Sequence, residues 1–139
     1  MLDRPLRMAD LTIGKIISVI DDDENVRIAI EGLIKSLGFE SRGFASAQQY
    51  LESGLIAATA CLITDVQMAG LNGLDLYARL VAEGGAPPVI FITAFPDKRI
   101  EARALALQAV GFLSKPFDPQ VLVQCIHRAI TPQSGRGPD

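Results

Sequence analysis

Short runs of apolar, mostly β-branched residues alternate along this chain with longer stretches in which apolar positions recur every three or four residues. Ile16-Ile17-Ser18-Val19-Ile20 is of the first kind. Such a run reads as a strand covered on both faces, the kind found in parallel sheets. From Glu24 onward Val26, Ile30, Leu33 and Leu37 keep helical spacing, and Gly38 stands where a helix C-terminus is capped. The alternation then repeats. Glu40 to Phe44 is a second strand, followed by a short helix capped by Ser46 that runs through Leu51 and stops near Gly54. Ala60-Cys61-Leu62-Ile63-Thr64 leads to Asp65, and beyond the loop VQMAGLNG the residues Leu74, Tyr77, Leu80 and Val81 mark a third helix ending at Gly84-Gly85. Pro87-Pro88 introduces the strand Val89-Ile90-Phe91-Ile92, ending at Thr93, and Asp97 to Gln108 is helix-forming in composition. Val110 to Ser114 is a fifth strand. Asp118-Pro119, an N-cap with proline at the first helical position, opens a last helix with Val121, Leu122, Cys125, Ile126 and Ala129 on its inner side.

Five strand–helix units with buried strands predict an α/β fold, a doubly wound five-stranded parallel sheet with helices on both faces, because right-handed crossovers place helices on either side of the sheet. The predicted domain occupies 15–131, between an N-terminal tail at 1–14, within which Met8 is an alternative start, and a flexible Gly/Pro-rich tail or linker at 132–139.

Composition adds limits. The chain has 139 residues, 49% hydrophobic and 21% charged, which is the composition of one globular domain. No apolar run has the length of a membrane span, and the N-terminal segment lacks the apolar core of a secretory signal. Cys61 and Cys125 both lie in apolar segments, as reduced core thiols do, and a cytoplasmic location is the expectation. With a formal net charge of −3 and no cluster of Lys or Arg on one predicted face, direct nucleic-acid binding by this chain is not expected. His127, the sole histidine, reads as a partly exposed residue of the last helix.

In open parallel sheets ligands bind outside the carboxyl ends of the strands. Here those ends carry Asp21, Asp22 and Asp23 after the first strand, Asp65 after the third, Thr93 after the fourth and Lys115 after the fifth. A lone acidic cluster is usually a solvated strand end; it is the joint placement that points to chemistry. Clustered carboxylates suit a hard divalent cation, Mg²⁺ or Mn²⁺, which takes one or two protein carboxylates together with phosphate oxygens. The groups present suit phosphoryl transfer to an aspartate, with Lys115 and the Thr93 hydroxyl meeting the phosphoryl oxygens.

SVIDDDENVR, CLITDVQMAGLNGLDL, PVIFITAF and GFLSKPF resemble, in order and spacing, the receiver domain of bacterial response regulators of two-component signalling (the CheY-like superfamily, with a FixJ-type flavour), over about Lys15 to Ile130. The resemblance implies that Asp65 accepts the phosphoryl group. It implies that Asp21, Asp22, Asp65 and the backbone carbonyl of Gln67 hold the metal. Thr93, Lys115 and Phe112 take the phosphoryl-binding and switch positions, and Lys115-Pro116 is a cis bond. Asp23 reads as an exposed acid opening the loop in preference to a metal ligand.

The implied partners are a sensor histidine kinase or phosphotransfer protein. An output partner or domain would use the face formed by the fourth helix, fifth strand and last helix, with a phosphorylation-dependent dimer as one form of output. The chain departs from the family pattern in Ala69, where proline is usual, and in Gln108-Ala109, where Gly-Ala is frequent. Gln67 and Phe95, two residues beyond Asp65 and Thr93, place an amide and an apolar ring where an acid could orient water, which implies slow loss of the phosphoryl group. The competing readings are a receiver-like module that only binds, and a phosphatase of the haloacid-dehalogenase kind. That phosphatase family places a second acid two residues after its nucleophile, where this chain has Gln67.

Overall fold

The computed structural model describes residues 15–131; the tails expected at 1–14 and 132–139, and Met8, lie outside the described residues. Ten elements alternate: β1 (Ile16–Ile20), α1 (Glu24–Ser36), β2 (Glu40–Phe44), α2 (Ala47–Glu52), β3 (Thr59–Asp65), α3 (Gly73–Ala82), β4 (Val89–Thr93), α4 (Lys98–Ala106), β5 (Gly111–Ser114) and α5 (Pro119–Ile130). All strand pairs are parallel, in the order β2-β1-β3-β4-β5. The doubly wound sheet read from the sequence is therefore the fold.

Side-chain alternation divides the core into two layers. Ile17 and Val19 of β1, Cys61 and Ile63 of β3, and Ile90 and Ile92 of β4 face α1 and α5, where they meet Ile30, Ile34, Leu122, Cys125 and Ile126. The intervening positions Ile20, Leu62, Val89 and Phe91 face the other helices, against Tyr50, Leu74, Leu76, Tyr77, Leu80 and Ala104. Each such side chain taken fully out of water stabilises the fold by about 1.5–3 kcal/mol. One polar cluster interrupts the second layer: Tyr50 Oη donates to Thr59 Oγ1 (2.9 Å), Ser18 Oγ lies 2.9 Å from the same oxygen, and Thr59 donates to the Leu55 carbonyl (2.8 Å). These buried hydroxyls satisfy one another, as burial requires.

Every helix among the described residues starts on a side-chain cap: Asp23, Ser46, Asn72, Asp97 and Asp118. Each cap is worth roughly 1 kcal/mol. Asp23 is thus accounted for by local structure, its Oδ1 accepting the N–H groups of Asn25 (3.0 Å) and Val26 (3.3 Å).

Two apolar residues expected on inner helix faces turn outward. Val121 is 38% and Val81 47% exposed. In α5 the buried arc runs through Leu122, Cys125 and Ile126, and Val121 precedes it by 100° of helical turn; in α3 Leu76 takes the core position and Val81 falls beyond the arc's edge.

The Gln108-Ala109 departure has a backbone consequence. Gln108 has φ +62°, the left-handed conformation that follows a helix end, where glycine carries no Cβ penalty. Gln108→Gly is expected to raise unfolding stability by about 0.5–1 kcal/mol, part of the relieved strain being offset by the flexible glycine of the unfolded chain. Urea denaturation checks this; a loss of stability would contradict it.

Candidate functional site

The carboxyl edge of the sheet gathers side chains from four strands. The β1 end is held by three contacts: Asp21 N–H donates to the Phe44 carbonyl at 3.1 Å, Arg27 Nη1 donates to the Asp21 carbonyl at 2.7 Å, and Asp23 N–H donates to Asp21 Oδ1 at 2.9 Å. Asp21 and Asp65 are buried, at 1% and 5% exposure, whereas Asp22 is exposed. One carboxylate oxygen from each of Asp21, Asp22 and Asp65 lies within 4.8 Å of the other two.

Lys115, carried out of β5 by the turn at the cis Lys115-Pro116 bond, places its Nζ 3.0 Å from Asp21 Oδ2 and 3.2 Å from Asp65 Oδ2. The Asp65 contact has hydrogen-bond geometry; the Asp21 contact is an ion pair without it, and Asp21 Oδ2 and Asp65 Oδ1 are buried with no hydrogen-bond partner. One ammonium shared by two buried carboxylates leaves the acids under-compensated. Burial, and then the charge of Asp21, push the Asp65 carboxyl up to about 6 against the pull of Lys115. Burial alone would lower the Lys115 pKa, but its close contacts with the Asp21 and Asp65 carboxylates outweigh it and raise it. Under-coordinated carboxylate oxygens converging within a few ångströms fit a hard divalent cation, whose charge favours their ionised form.

On β4, Thr93 Oγ1 donates to Gln67 Oε1 (2.6 Å) and accepts the Phe95 N–H (3.0 Å), and Gln67 Nε2 donates to the Phe95 carbonyl (3.3 Å). The Thr93 hydroxyl proton is therefore committed to the Gln67 amide. This ring also pins the backbone of Phe95, whose side chain is 72% exposed. Gly73 closes the site from below: its N–H donates to the Val66 carbonyl (3.0 Å), and a Cβ there would lie 2.2 Å from the Asp65 carbonyl oxygen.

A family model described as the response regulator receiver domain matches residues 17–127. The chain is a response-regulator receiver domain. Among curated proteins, this receiver is 39% identical over 111 residues to nodulation protein W of Bradyrhizobium diazoefficiens (80% of this chain, 49% of the relative). It is 34% identical over 121 residues to the transcriptional regulatory protein FixJ of Azorhizobium caulinodans (87% of this chain, 57% of the relative). The chain spans about half the length of these relatives. Among solved structures it superposes on the response regulator StyR with a TM-score of 0.80 at 34% identity, covering 88% of this chain and 62% of that one. For the N-terminal part of FixJ the TM-score is 0.73 at 28% identity, covering 83% and 92%.

Within this receiver the fold brings Asp21, Asp22, Asp65, Gln67, Thr93 and Lys115 to one mouth, with Phe95 above it. Phe112 stands apart, half-buried on β5 and packed under α4. Sequence reasoning placed Gln67 and Phe95 beside the site without the hydrogen bonds that join Gln67 to Thr93 and to Phe95, because those bonds span 26 and 28 positions of chain. It did not single out Arg27, and it left Gly73 at the end of the loop before the third helix. Gly73 spends its N–H on Val66. His127 is exposed on α5, and Cys61 is buried with its thiol pushed up to about 12 by burial, then by Cys125, so it stays protonated and unreactive. Arg103 of α4 pairs with Asp75 of α3 at 2.6 Å.

Proposed function

We propose that this receiver takes a phosphoryl group onto Asp65 from the phosphohistidine of a sensor kinase or phosphotransfer protein and acts as a phosphoacceptor switch, with no turnover of a separate substrate. The observation that carries this reading is the buried Asp65 carboxylate, held by the single ammonium of Lys115 and facing the Asp21 and Asp22 carboxylates, with Asp65 Oδ1 and Asp21 Oδ2 buried without a hydrogen-bond partner. An Asp65 carboxylate oxygen attacks phosphorus; the P–N bond of the donor breaks, its electron pair returns to the imidazole nitrogen, and an acyl phosphate forms. Lys115 offsets charge on the transferred oxygens. Asp21, Asp22 and Asp65, with the Gln67 main-chain carbonyl, would hold Mg²⁺ or Mn²⁺, which neutralises phosphoryl charge.

The response starts at Thr93. To donate to a phosphoryl oxygen its hydroxyl must leave the Gln67 amide, which releases the Phe95 backbone from the same ring. Phe112 then follows in a population shift that alters the face of α4, β5 and α5, where Leu105 stands 75% exposed beside Ala109 and Phe112. We assign output binding to that face, whether by another domain, a separate protein or a second receiver. The domain is taken as 15–131 with flanking tails, and its place as the cytoplasm; no described helix is long and apolar enough to cross a membrane.

The test is intact mass after incubation with Mg²⁺ and acetyl phosphate. A gain of one phosphoryl group that chelation abolishes is expected; an unmodified, folded protein would sink the reading. Gln67 and Phe95 also bear on lifetime, since neither can orient water as a carboxylate could. Replacing Phe95 by serine is expected to speed phosphate release several-fold once donor is removed, and an unchanged decay would show that the ring does not shield the acyl phosphate.

A further inference from the structure

Arg27 lies on the first turn of α1, outside the reacting groups, yet its guanidinium reaches back to the carbonyl of Asp21 at 2.7 Å. That carbonyl belongs to the residue whose carboxylate meets Lys115 and whose Oδ1 takes the Asp23 N–H. A charged donor on a main-chain carbonyl is among the stronger protein hydrogen bonds, and it fixes the peptide that leads into Asp22.

A second observation, on another element, concerns the path of this side chain. Gly43 sits inside strand β2, where glycine weakens a strand and often marks close approach of other groups. A Cβ at Gly43 would lie 3.2 Å from Arg27 Cδ and 2.1 Å from Glu31 Oε2. The missing side chain leaves the surface over which Arg27 and Glu31 lie, and Glu31 is steadied there by the Ser41 hydroxyl at 3.5 Å.

We propose that Arg27, with its path cleared by Gly43, is a positioning residue for the metal-binding acids: it holds the Asp21-Asp22 peptide so that both carboxylates converge on Asp65. The proposal rests on the receiver reading above. Its electrostatic alternative has the opposite sign. Were Arg27 only a nearby positive charge, removing it would deepen the negative potential of the acids and tighten binding of a divalent cation. Were it a positioning residue, removing it would loosen the loop and weaken binding, as loss of groups that orient metal ligands commonly does by tenfold or more.

The experiment is calorimetric titration of Mg²⁺ into unphosphorylated wild type, Arg27→Met, Arg27→Lys and Gly43→Ala, with thermal melts in EDTA to confirm folding. The Mg²⁺ Kd is expected to rise about tenfold in Arg27→Met, to be partly restored in Arg27→Lys, which keeps the charge but not the planar fork, and to rise by a smaller factor in Gly43→Ala, which retains Arg27 but crowds it. Unchanged or tighter Mg²⁺ binding in folded Arg27→Met overturns the proposal while leaving the receiver reading intact. If Arg27→Met does not fold, wild-type affinity in both Arg27→Lys and Gly43→Ala overturns it. Absence of Mg²⁺ binding by the wild type would instead remove the receiver's metal site and the proposal with it.

Discussion

Asp65→Asn is expected to gain no phosphoryl group and, in EDTA at pH 7, to be more stable than the wild type by about 2–3 kcal/mol. The first effect is chemical: a neutral amide is not the nucleophile that the carboxylate is. The second follows from the cost of keeping Asp65 ionised in the folded protein. Its carboxyl is pushed up to about 6 from the ordinary 3.8, by burial and then by Asp21, with Lys115 offsetting only part of the cost. The folded pKa lies above the unfolded one, so between those two pH values the folded chain binds more protons than the unfolded chain and stability falls as pH rises. The favourable contribution of Asp65 is complete below the unfolded value and gone above the folded one.

Wild type in EDTA should therefore lose stability between about pH 4 and pH 6 relative to Asp65→Asn, and the two urea-derived curves should run parallel outside that window. Parallel curves across the whole range would mean that Asp65 ionises in the fold without penalty. Mg²⁺ should stabilise the wild type near neutral pH more than the asparagine variant, because a cation favours the ionised carboxylate that burial opposes.

Gly73→Ala is the second large effect, a loss of about 3 kcal/mol or more together with loss of phosphoacceptance. Helix propensity alone gives the opposite sign, since alanine is favoured over glycine in a helix by about 1 kcal/mol. Packing overrules it. A Cβ at position 73 would stand 2.2 Å from the Asp65 carbonyl oxygen and 3.1 Å from Thr64 Oγ1, and a backbone oxygen cannot swing aside as a side-chain end can. Either α3 lifts away from Leu62 and Phe91 or the end of β3 shifts and carries Asp65 out of line with Lys115. Urea unfolding with Mg²⁺-dependent phosphorylation tests both; a variant as stable as the wild type would show that the helix start can move without cost.

The pinned Thr93 bears on both results. Its hydroxyl has one proton, given to Gln67 at 2.6 Å, so on the proposed mechanism a phosphoryl oxygen would compete for it with an amide already in place. On the proposed mechanism the ring of Gln67, Thr93 and Phe95 would oppose the switched state, and opening it would free the backbone that carries an exposed phenylalanine.

Much of this was legible in the chain. Runs such as Ile16–Ile20 and Val89–Thr93 are apolar on both faces because both faces are covered, and that signal needs no partner to be read. Caps are equally local: Ser46 and Asp118 bind N–H groups two or three residues away, so residue type and position suffice. Strand order then brings Asp21, Asp22, Asp65, Thr93 and Lys115 to one edge, since parallel strands all end on the same side.

What the tertiary structure alone decided depends on register and helix rotation. Val81 and Val121 face water because 100° of helical turn separates an inner position from an outer one, and a short apolar pattern does not resolve that angle. Arg27 on the Asp21 carbonyl, Gly43 beneath Arg27 and Glu31, Gly73 against the Asp65 carbonyl and Gln67 on Thr93 are contacts across elements, fixed to tenths of an ångström by how helices seat on the sheet. Periodicity along the chain determined which elements form and which edge carries the chemistry; close packing between elements, which no local pattern encodes, decided how the side chains at that edge are held.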